Sequence, residues 1–181
     1  MGTVRPLPLP LPLRHPCLPG LHLRRLRAPD AAAFHAAVTT PAIGRMLFMF
    51  PADWSLAEAG AHVAEMAARD TPPLRLAIDA GDGRFLGSVG MPGQDGDEIA
   101  FFLVPEAQGQ GIMRAALAGF VPMLLAQFDL PALHARVYHD NPASMALLRG
   151  VGFVETGTAI GACSAQRKGA ERLHGYTLAR A

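Results

Sequence analysis

The chain has 181 residues, half of them hydrophobic, which is enough to bury the core of one domain and argues against several. The formal net charge is +1 and no block of like charges occurs, so the composition predicts no arm that binds nucleic acid. The two cysteines, Cys17 and Cys163, have the spacing of neither a zinc site nor a disulfide framework, which favours a reducing cytoplasm and no metal.

The N-terminal residues 1–19 alternate leucine with proline. Because proline interrupts the apolar run, we expect no secretory signal here. The sequence contains no uninterrupted run of about eighteen apolar residues, so we expect no membrane span. Proline also removes every second backbone donor, so the segment cannot enter the interior of a sheet. We predict a flexible tail of polyproline II character at 1–19, followed by one domain at 20–181.

The first half of this domain predicts a strand, two helices and a hairpin. The pattern LHLRRL from Leu21 alternates as a half-buried strand does, and a turn at 28–30 leads into the helix AAAFHAAV. Ser55 followed three positions later by Glu58 is a capping box, which predicts a second helix from Ser55 to Arg69. The apolar runs LRLAI and FLGSVGM, joined by AGDG, predict a hairpin.

The second half alternates strands with helices. The predicted elements are a strand from Glu98 to Val104, a helix at 109–127, a strand from Leu133 to Tyr138, a helix from Pro142 to Arg149 and a closing strand HGYTLAR. Strand, helix and strand in succession indicate a crossover onto a parallel neighbour. Pro122 lies inside the long helix, where we expect a bend or an early end.

The stretch FFLVPEAQGQGIMRAAL carries the clearest chemical signal. An apolar strand ends at Val104, and a loop with Gly109 and Gly111 opens directly into a helix. Glycines let the chain approach a bulky phosphate, and free amides at a helix start bind pyrophosphate without lysine. The loop is not a Walker motif, and a dinucleotide fingerprint would need glycine where Arg114 stands. Alone, the loop also fits an ordinary tight strand-to-helix connection.

A second segment, NPASMALLRGVGF, follows about thirty residues later and gives the loop its context. Together the two segments resemble the GNAT superfamily, in which Q/R-x-x-G-x-G/A precedes a strand, N-x-x-S/A on a short helix, and G-F. The matching residues are Gln108, Gly111, Met113, Asn141, Ser144, Gly152 and Phe153. The sequence of these two segments is most similar to the Rim type, which acetylates protein N-termini, and to its relatives that act on small molecules. The resemblance covers about residues 20–180.

This resemblance implies an α/β (α+β) fold with a mixed sheet of about seven strands, splayed between the fourth and fifth, and helices on both faces. It also implies acetyl-CoA as cosubstrate, with the pyrophosphate on the amides of the glycine loop and the pantetheine arm along the splayed strand. The implied cofactor-binding residues are Phe102, Leu103, Val104, Gln108, Gly109, Gln110, Gly111, Ile112, Met113, Arg114, Asn141, Ser144 and Leu147. An amide near Leu103 would hold the thioester carbonyl and stabilise the oxyanion.

Direct attack by an amine calls for a base and an acid. Glu98 is the expected base, since several GNAT branches carry an acidic residue there, although an ordinary charged strand end is the alternative. Ser144 is the expected acid toward the departing sulfur. Many relatives use a tyrosine four residues later, where this chain has Leu148, so the role passes to Ser144 or to water.

Several other candidates have a structural alternative. Asn141 before Pro142 is a typical helix N-cap that can also hydrogen-bond the pantetheine amide. Phe48, Phe50 and Trp54 precede the second helix, where relatives build the acceptor pocket, but a core role fits equally well. His134 and His139 are expected to be surface or core residues.

The leading hypothesis is a cytoplasmic N-acetyltransferase that moves an acetyl group from acetyl-CoA to a primary amine on a small molecule or polypeptide N-terminus. The alternatives are a non-catalytic acyl-CoA-binding or regulatory module and, less favoured, an interaction unit whose Leu-Pro tail is a polyproline ligand. We expect no nucleic-acid or membrane partner and leave a homodimer open.

Overall fold

The computed structural model describes residues 5–93, 96–161 and 165–180. The strands are Leu11–Pro12 (β1), His22–Arg25 (β2), Leu74–Asp79 (β3), Phe85–Met91 (β4), Ala100–Leu103 (β5), Ala132–Tyr138 (β6), Val154–Gly161 (β7) and Glu171–Ala179 (β8). The helices are Asp30–Thr39 (α1), Pro41–Gly44 (α2), Leu56–Ala67 (α3), Ile112–Gln127 (α4) and Pro142–Gly150 (α5), and Pro105–Ala107 form a 3₁₀ turn. Among the described residues, no helix is both long and apolar enough to cross a membrane.

The strands form two sheets that touch at one point. β1 to β5 make an antiparallel sheet in chain order, and β6, β8 and β7 make a second antiparallel sheet. The sheets meet through a parallel bridge between Glu98 and His134, where the Ile99 N–H donates to the His134 carbonyl at 2.8 Å. Beyond that bridge the described strands β5 and β6 do not pair.

This arrangement confirms the predicted α/β fold and its splayed sheet. The two-residue strand β1 was not predicted, so each later strand up to β6 has a number one higher than expected. The predicted fourth and fifth strands are therefore β5 and β6. The bridge at Glu98 is parallel, as the predicted crossover through α4 requires. One end of the split is therefore closed, and the other end opens between β5 and β6.

The local sequence signals predict the start of one helix but not the effect of proline in another. Ser55 and Glu58 form the predicted reciprocal capping box at the start of α3. α4, in contrast, does not end early at Pro122 but continues to Gln127. Phe120 and Leu124 on either side of Pro122 are fully buried, and their apolar burial offsets the hydrogen bond that proline removes.

Residues 5–19 pack against the domain, which differs from the expected flexible tail. Leu7 and Leu13 are buried, and Leu11 pairs with Leu23 of β2. β1 is an edge strand, so the N–H groups that proline lacks are not needed for hydrogen bonds within the sheet. The leucines of the Leu-Pro repeat therefore supply core surface, while the prolines stay compatible with the sheet edge.

A buried ion cluster ties β2, α1 and β3 together. Arg24 donates to Asp30 at 2.7 Å and to Asp79 at 2.5 Å, and all three side chains are at most 5% exposed. Burial works to lower the pKa of Arg24, but the hydrogen bonds and charges of the two carboxylates outweigh it and raise that pKa. The cluster joins β2 and α1 to the end of β3.

Candidate active site

A cavity of about 940 Å³ occupies the split between the two sheets. Its walls come from β5, β6, the start of α4, the start of α5 and the segment that joins α1 to α3. The predicted site residues on these walls are Glu98, Phe102, Leu103, Gln108, Gly109, Gly111, Ile112, Met113, Arg114, Asn141, Ser144 and Leu147. Val104 and Gln110 do not line the cavity. The fold thus brings together residues that are up to 49 positions apart in the sequence, from Glu98 to Leu147.

The loop before α4 presents unpaired backbone donors. Gly109 and Gly111 have φ values of 72° and 79°, the left-handed region that glycine adopts without a steric cost. The first helical hydrogen bond runs from the Ala115 N–H to the Gly111 carbonyl at 3.1 Å. Within the described part of the chain, the N–H groups of residues 109–114 have no acceptor. These donors and the positive end of the α4 dipole make an anion site.

Side chains around the loop fix its shape. Gln108 donates to the Leu103 carbonyl at 3.2 Å, which ties the loop to the end of β5. The Gln110 side chain folds back to the Glu106 carbonyl at 2.6 Å, away from the cavity. Arg114 is exposed, lines the cavity and lies against Gly150, where any larger side chain would collide with its guanidinium. Arg114 therefore adds a cation beside the free amides.

The free edge of β5 faces the split. The Val104 N–H donates to Leu86 at 3.0 Å, toward β4, while the Ile99 N–H donates across the split to β6. Because N–H directions alternate along a strand, the N–H of Leu103 points into the split. The Leu103 amide therefore faces the split, whereas the Val104 amide is used within the first sheet.

α5 brings two polar side chains to the opposite wall. Asn141 is the N-cap, and its Oδ1 accepts from the Ser144 N–H at 3.2 Å. This bond uses the Asn141 oxygen and leaves its amide donors available, because no acceptor for them occurs among the described residues. The Ser144 hydroxyl lines the cavity. Leu148, at the position of the tyrosine of many relatives, is fully buried in the core.

Glu98 lies two residues before β5, not inside the strand as predicted, and it lines the cavity. Its two carboxylate oxygens accept from Nε and Nη2 of Arg136, each at 2.8 Å. The bond to Glu98 raises the pKa of Arg136, whose guanidinium lies 5.1 Å from the ring centre of Phe48. Glu98 is the one carboxylate among the described cavity-lining residues.

The aromatic residues before α3 divide between cavity and core. Phe48 and Phe50 line the cavity, whereas Trp54 stacks behind Phe50 with ring centres 4.9 Å apart and does not line it. His134 and His139 are exposed and lie outside the cavity lining.

Two charged residues of the cavity lining, Arg75 and the Glu98 partner Arg136, were missed by the sequence analysis. Arg75 is 3% exposed, lies in β3 and lines the cavity. Burial lowers its pKa to about 10. The available signal was a single arginine inside the apolar run LRLAI, a position where a half-buried strand would also carry a charge on its solvent face.

A comparison with protein families decides the identity. The family described as the acetyltransferase (GNAT) domain matches residues 20–154. The chain belongs to the GNAT acetyltransferase family. The match spans the glycine loop, the split and α5, and it confirms both the resemblance and the prediction of an acyltransferase. No curated protein sequence matches this GNAT chain at a significant level.

Solved structures share this GNAT fold at low sequence identity. RimJ of Mycobacterium smegmatis, in complex with CoA-disulfide, is 24% identical with a TM-score of 0.75 over 93% of this chain and 85% of that one. Spermidine N-acetyltransferase of Vibrio cholerae, in complex with CoA and spermine, is 19% identical with a TM-score of 0.75 over 88% and 95%. A GNAT-family acetyltransferase of Bacillus anthracis is 13% identical with a TM-score of 0.76 over 93% and 97%.

Proposed function

We propose that this GNAT protein transfers an acetyl group from acetyl-CoA to a primary amine by direct attack within a ternary complex. One observation carries the proposal: the unpaired amides of residues 109–114 and the free edge of β5 open into the same cavity. An anion site and an extended row of backbone groups are the two features that a diphosphate with an amide-containing arm requires.

The residues present fit acetyl-CoA. The amides of 109–114 would hold the pyrophosphate, with Arg114 as a charge partner. The backbone of β5 and the side-chain amide of Asn141 would bind the arm from opposite walls. The two neighbouring structures solved with CoA or its disulfide support this assignment by their shared fold. Acetyl-CoA supplies the activated acyl group, and the protein supplies the charges and donors around it.

Three groups of this chain would act on the reaction. The Leu103 N–H faces the position where negative charge develops, and one such donor lowers the barrier by about 3 kcal/mol in acyl transfer. The Ser144 hydroxyl would protonate the leaving thiolate. Glu98 would take the proton of the substrate ammonium, directly or through one water, on a lone pair that its two bonds from Arg136 leave unused, so that a neutral amine attacks.

Thiol release tests the function. Purified protein with acetyl-CoA and a panel of amino acids, peptides and small amines should release CoA only when an acceptor is present. Double-reciprocal plots should intersect, because both substrates bind before reaction; parallel lines would contradict direct attack. Ser144→Ala and Glu98→Gln should each lower kcat by about 10-fold or more. Asp129→Asn is the control, since Asp129 is an exposed carboxylate paired with Arg180 outside the cavity.

Coenzyme binding is measured separately from turnover. CoA at about a hundred times its dissociation constant should stabilise the fold by about 2.7 kcal/mol. Stabilisation without amine-dependent thiol release would favour the non-catalytic acyl-CoA-binding module. Absence of any stabilisation would contradict the coenzyme site itself.

A further inference from the structure

Arg75 is a buried cation. Its side chain forms no hydrogen bond or ion pair with any described residue, and its buried Nη1 is one of the atoms left without a hydrogen-bond partner. The other buried arginine of the first sheet, Arg24, is instead held by Asp30 and Asp79. Buried charges in proteins are normally paired, because an unpaired one loses its hydration without compensation. Arg75 therefore lacks the arrangement of a structural ion pair.

Aromatic rings hold the Arg75 guanidinium in place. It lies 5.9 Å from the ring centre of Phe34, 5.7 Å from Phe50 and 5.9 Å from Phe102. Cation–π contacts of this kind stabilise a guanidinium through the ring faces and leave its N–H donors unused. Phe50 and Phe102 line the large cavity together with Arg75. The three rings thus surround a cation that lies at the cavity wall.

Among the residues that the structure describes, no carboxylate forms a hydrogen bond or ion pair with Arg75. Beside Arg75 lies His62, whose pKa is lowered to about 4 by burial and by the Arg75 charge, so the imidazole is neutral near pH 7. The charge of Glu65, on the same helix, has the smallest effect on the pKa of His62. The Glu65 carboxylate accepts a hydrogen bond from Arg69 at 2.7 Å. The positive charge of Arg75 is therefore uncompensated.

The position of Arg75 separates it from the phosphate loop. A second, smaller cavity of about 210 Å³ lies beside the first, and Met49, Arg75 and Pro92 line both. The lining residues of the phosphate loop, Gln108, Gly109 and 111–114, belong only to the large cavity. In the proposed function the phosphate charges of the coenzyme have their own donors at α4. This leaves Arg75 available to a second molecule in the cavity, the acceptor.

We propose that Arg75 binds a carboxylate of the acceptor, so that the substrate is an amino-carboxylate: a free amino acid or a short peptide that carries its carboxylate close to its amine. This inference rests on the proposed function and names its substrate class. The planar guanidinium matches a carboxylate through two parallel hydrogen bonds. Glu98, the one carboxylate among the described cavity-lining residues, can accept a hydrogen bond from the ammonium beside its pair with Arg136. A polyamine offers no anion, and Arg75 repels its charges.

Matched acceptors test the proposal. Thiol release is measured for pairs that differ only in the carboxylate: glycine and glycinamide, leucine and leucinamide, dipeptides and their amides. The wild-type protein should prefer the carboxylate member of at least one pair by about 10-fold or more in kcat/KM, as for one lost charged hydrogen-bond pair. Spermidine should be a poor acceptor. Equal rates for both members of every pair would overturn the assignment.

Variants of Arg75 locate the effect. Arg75→Met should abolish the preference, mainly by raising KM for the carboxylate member, and Arg75→Lys should restore part of it. Arg75→Met removes an unpaired charge from an apolar cage, so it should fold and keep its stabilisation by CoA. Arg84→Met is the matched control, because Arg84 is an exposed arginine outside both cavities. An unchanged preference in folded Arg75→Met would refute the site.

A binding measurement separates this inference from the proposed function. The ¹⁵N signal of Arg75 Nε, assigned by its absence in Arg75→Lys, is followed while CoA-loaded protein is titrated with leucine or with leucinamide. A shift with the carboxylate alone supports the site even if no thiol is ever released, in which case only the proposed catalysis fails. No shift with any amino acid or dipeptide, in protein that acetylates neutral amines, would overturn the inference and leave the catalysis standing.

Discussion

Replacing Arg24 with methionine should expose how much the buried ion cluster contributes to stability. The substitution leaves Asp30 and Asp79, at 4% and 1% exposure, without their cation. Removing one partner of a buried pair costs about 3–5 kcal/mol. Asp79 keeps the N–H groups of Gly81 and Gly83, at 2.8 and 3.0 Å, and Asp30 keeps that of Arg27. These donors place the expected loss near the lower limit, about 3 kcal/mol at pH 7.

The pH dependence gives this prediction a sign. Burial works to raise the pKa of Asp79, but hydrogen bonds from Arg24, Gly81 and Gly83 outweigh it and hold that pKa below its usual value. The wild type therefore loses this stabilisation as pH falls through the folded pKa of Asp79. Without Arg24 the Asp79 carboxyl takes up a proton more readily, so the difference in unfolding free energy between variant and wild type should narrow between pH 7 and pH 4.

Urea unfolding of both proteins at pH 7 and pH 4.5 provides the measurement, with unfolding midpoints converted through the m-value. Arg84→Met is the control and should stay within about 0.5 kcal/mol of the wild type. A loss below about 1 kcal/mol for Arg24→Met, or a gap that widens on acidification, would refute the view that the cluster depends on its cation.

Three further changes probe other parts of the molecule. Because the pKa of His62 is about 4 in the folded state, the free energy of unfolding should fall as pH drops from about 6.5 to 4. His62→Leu should remove about 1–2 kcal/mol of that fall, a value discounted for the partial exposure of the ring. Urea unfolding of both proteins at pH 7 and 4.5 measures the difference, and an equal loss in variant and wild type would contradict the prediction. Gly111→Ala places a side chain at φ 79° and should cost about 1 kcal/mol in stability and at least about 10-fold in CoA affinity by calorimetry, whereas unchanged affinity would argue against the amide cradle. A Cβ at Gly87 would collide with the Phe102 carbonyl, so Gly87→Ala should displace β5 and lower kcat more than CoA affinity. An unchanged kcat in steady-state assays would show that catalysis does not depend on the position of β5.

Local patterns predicted the elements whose signals lie within a few residues. The capping box of α3 and the glycine loop before α4 depend on spacing alone, and the structure shows both. The split of the sheet was accessible only through the family resemblance. It arises where β5 and β6 diverge after the Glu98–His134 bridge, a relation between distant segments that no local pattern records.

The features that were missed depend on long-range packing. β7 is exposed at nearly every position, so it lacks the alternation that marks a half-buried strand. β1 forms because Leu11 pairs with Leu23, and a proline-rich pattern does not predict such pairing. Arg75 is buried by Phe34 and Phe50 from distant parts of the chain, so its sequence neighbours indicated an ordinary surface charge. Reading polarity along one strand cannot reveal such a residue.

The contact between the N-terminal segment and the glycine loop offers a way to watch the coenzyme site directly. His15 Nδ1 accepts from the Cys17 N–H, so its Nε2 carries the proton that is donated to the Gln110 carbonyl at 2.8 Å. Cys17 is exposed and lies two residues from that bond. A fluorophore on Cys17, in a Cys163→Ser background, would sit beside the loop. Its emission would register occupancy in real time, without any chemical turnover.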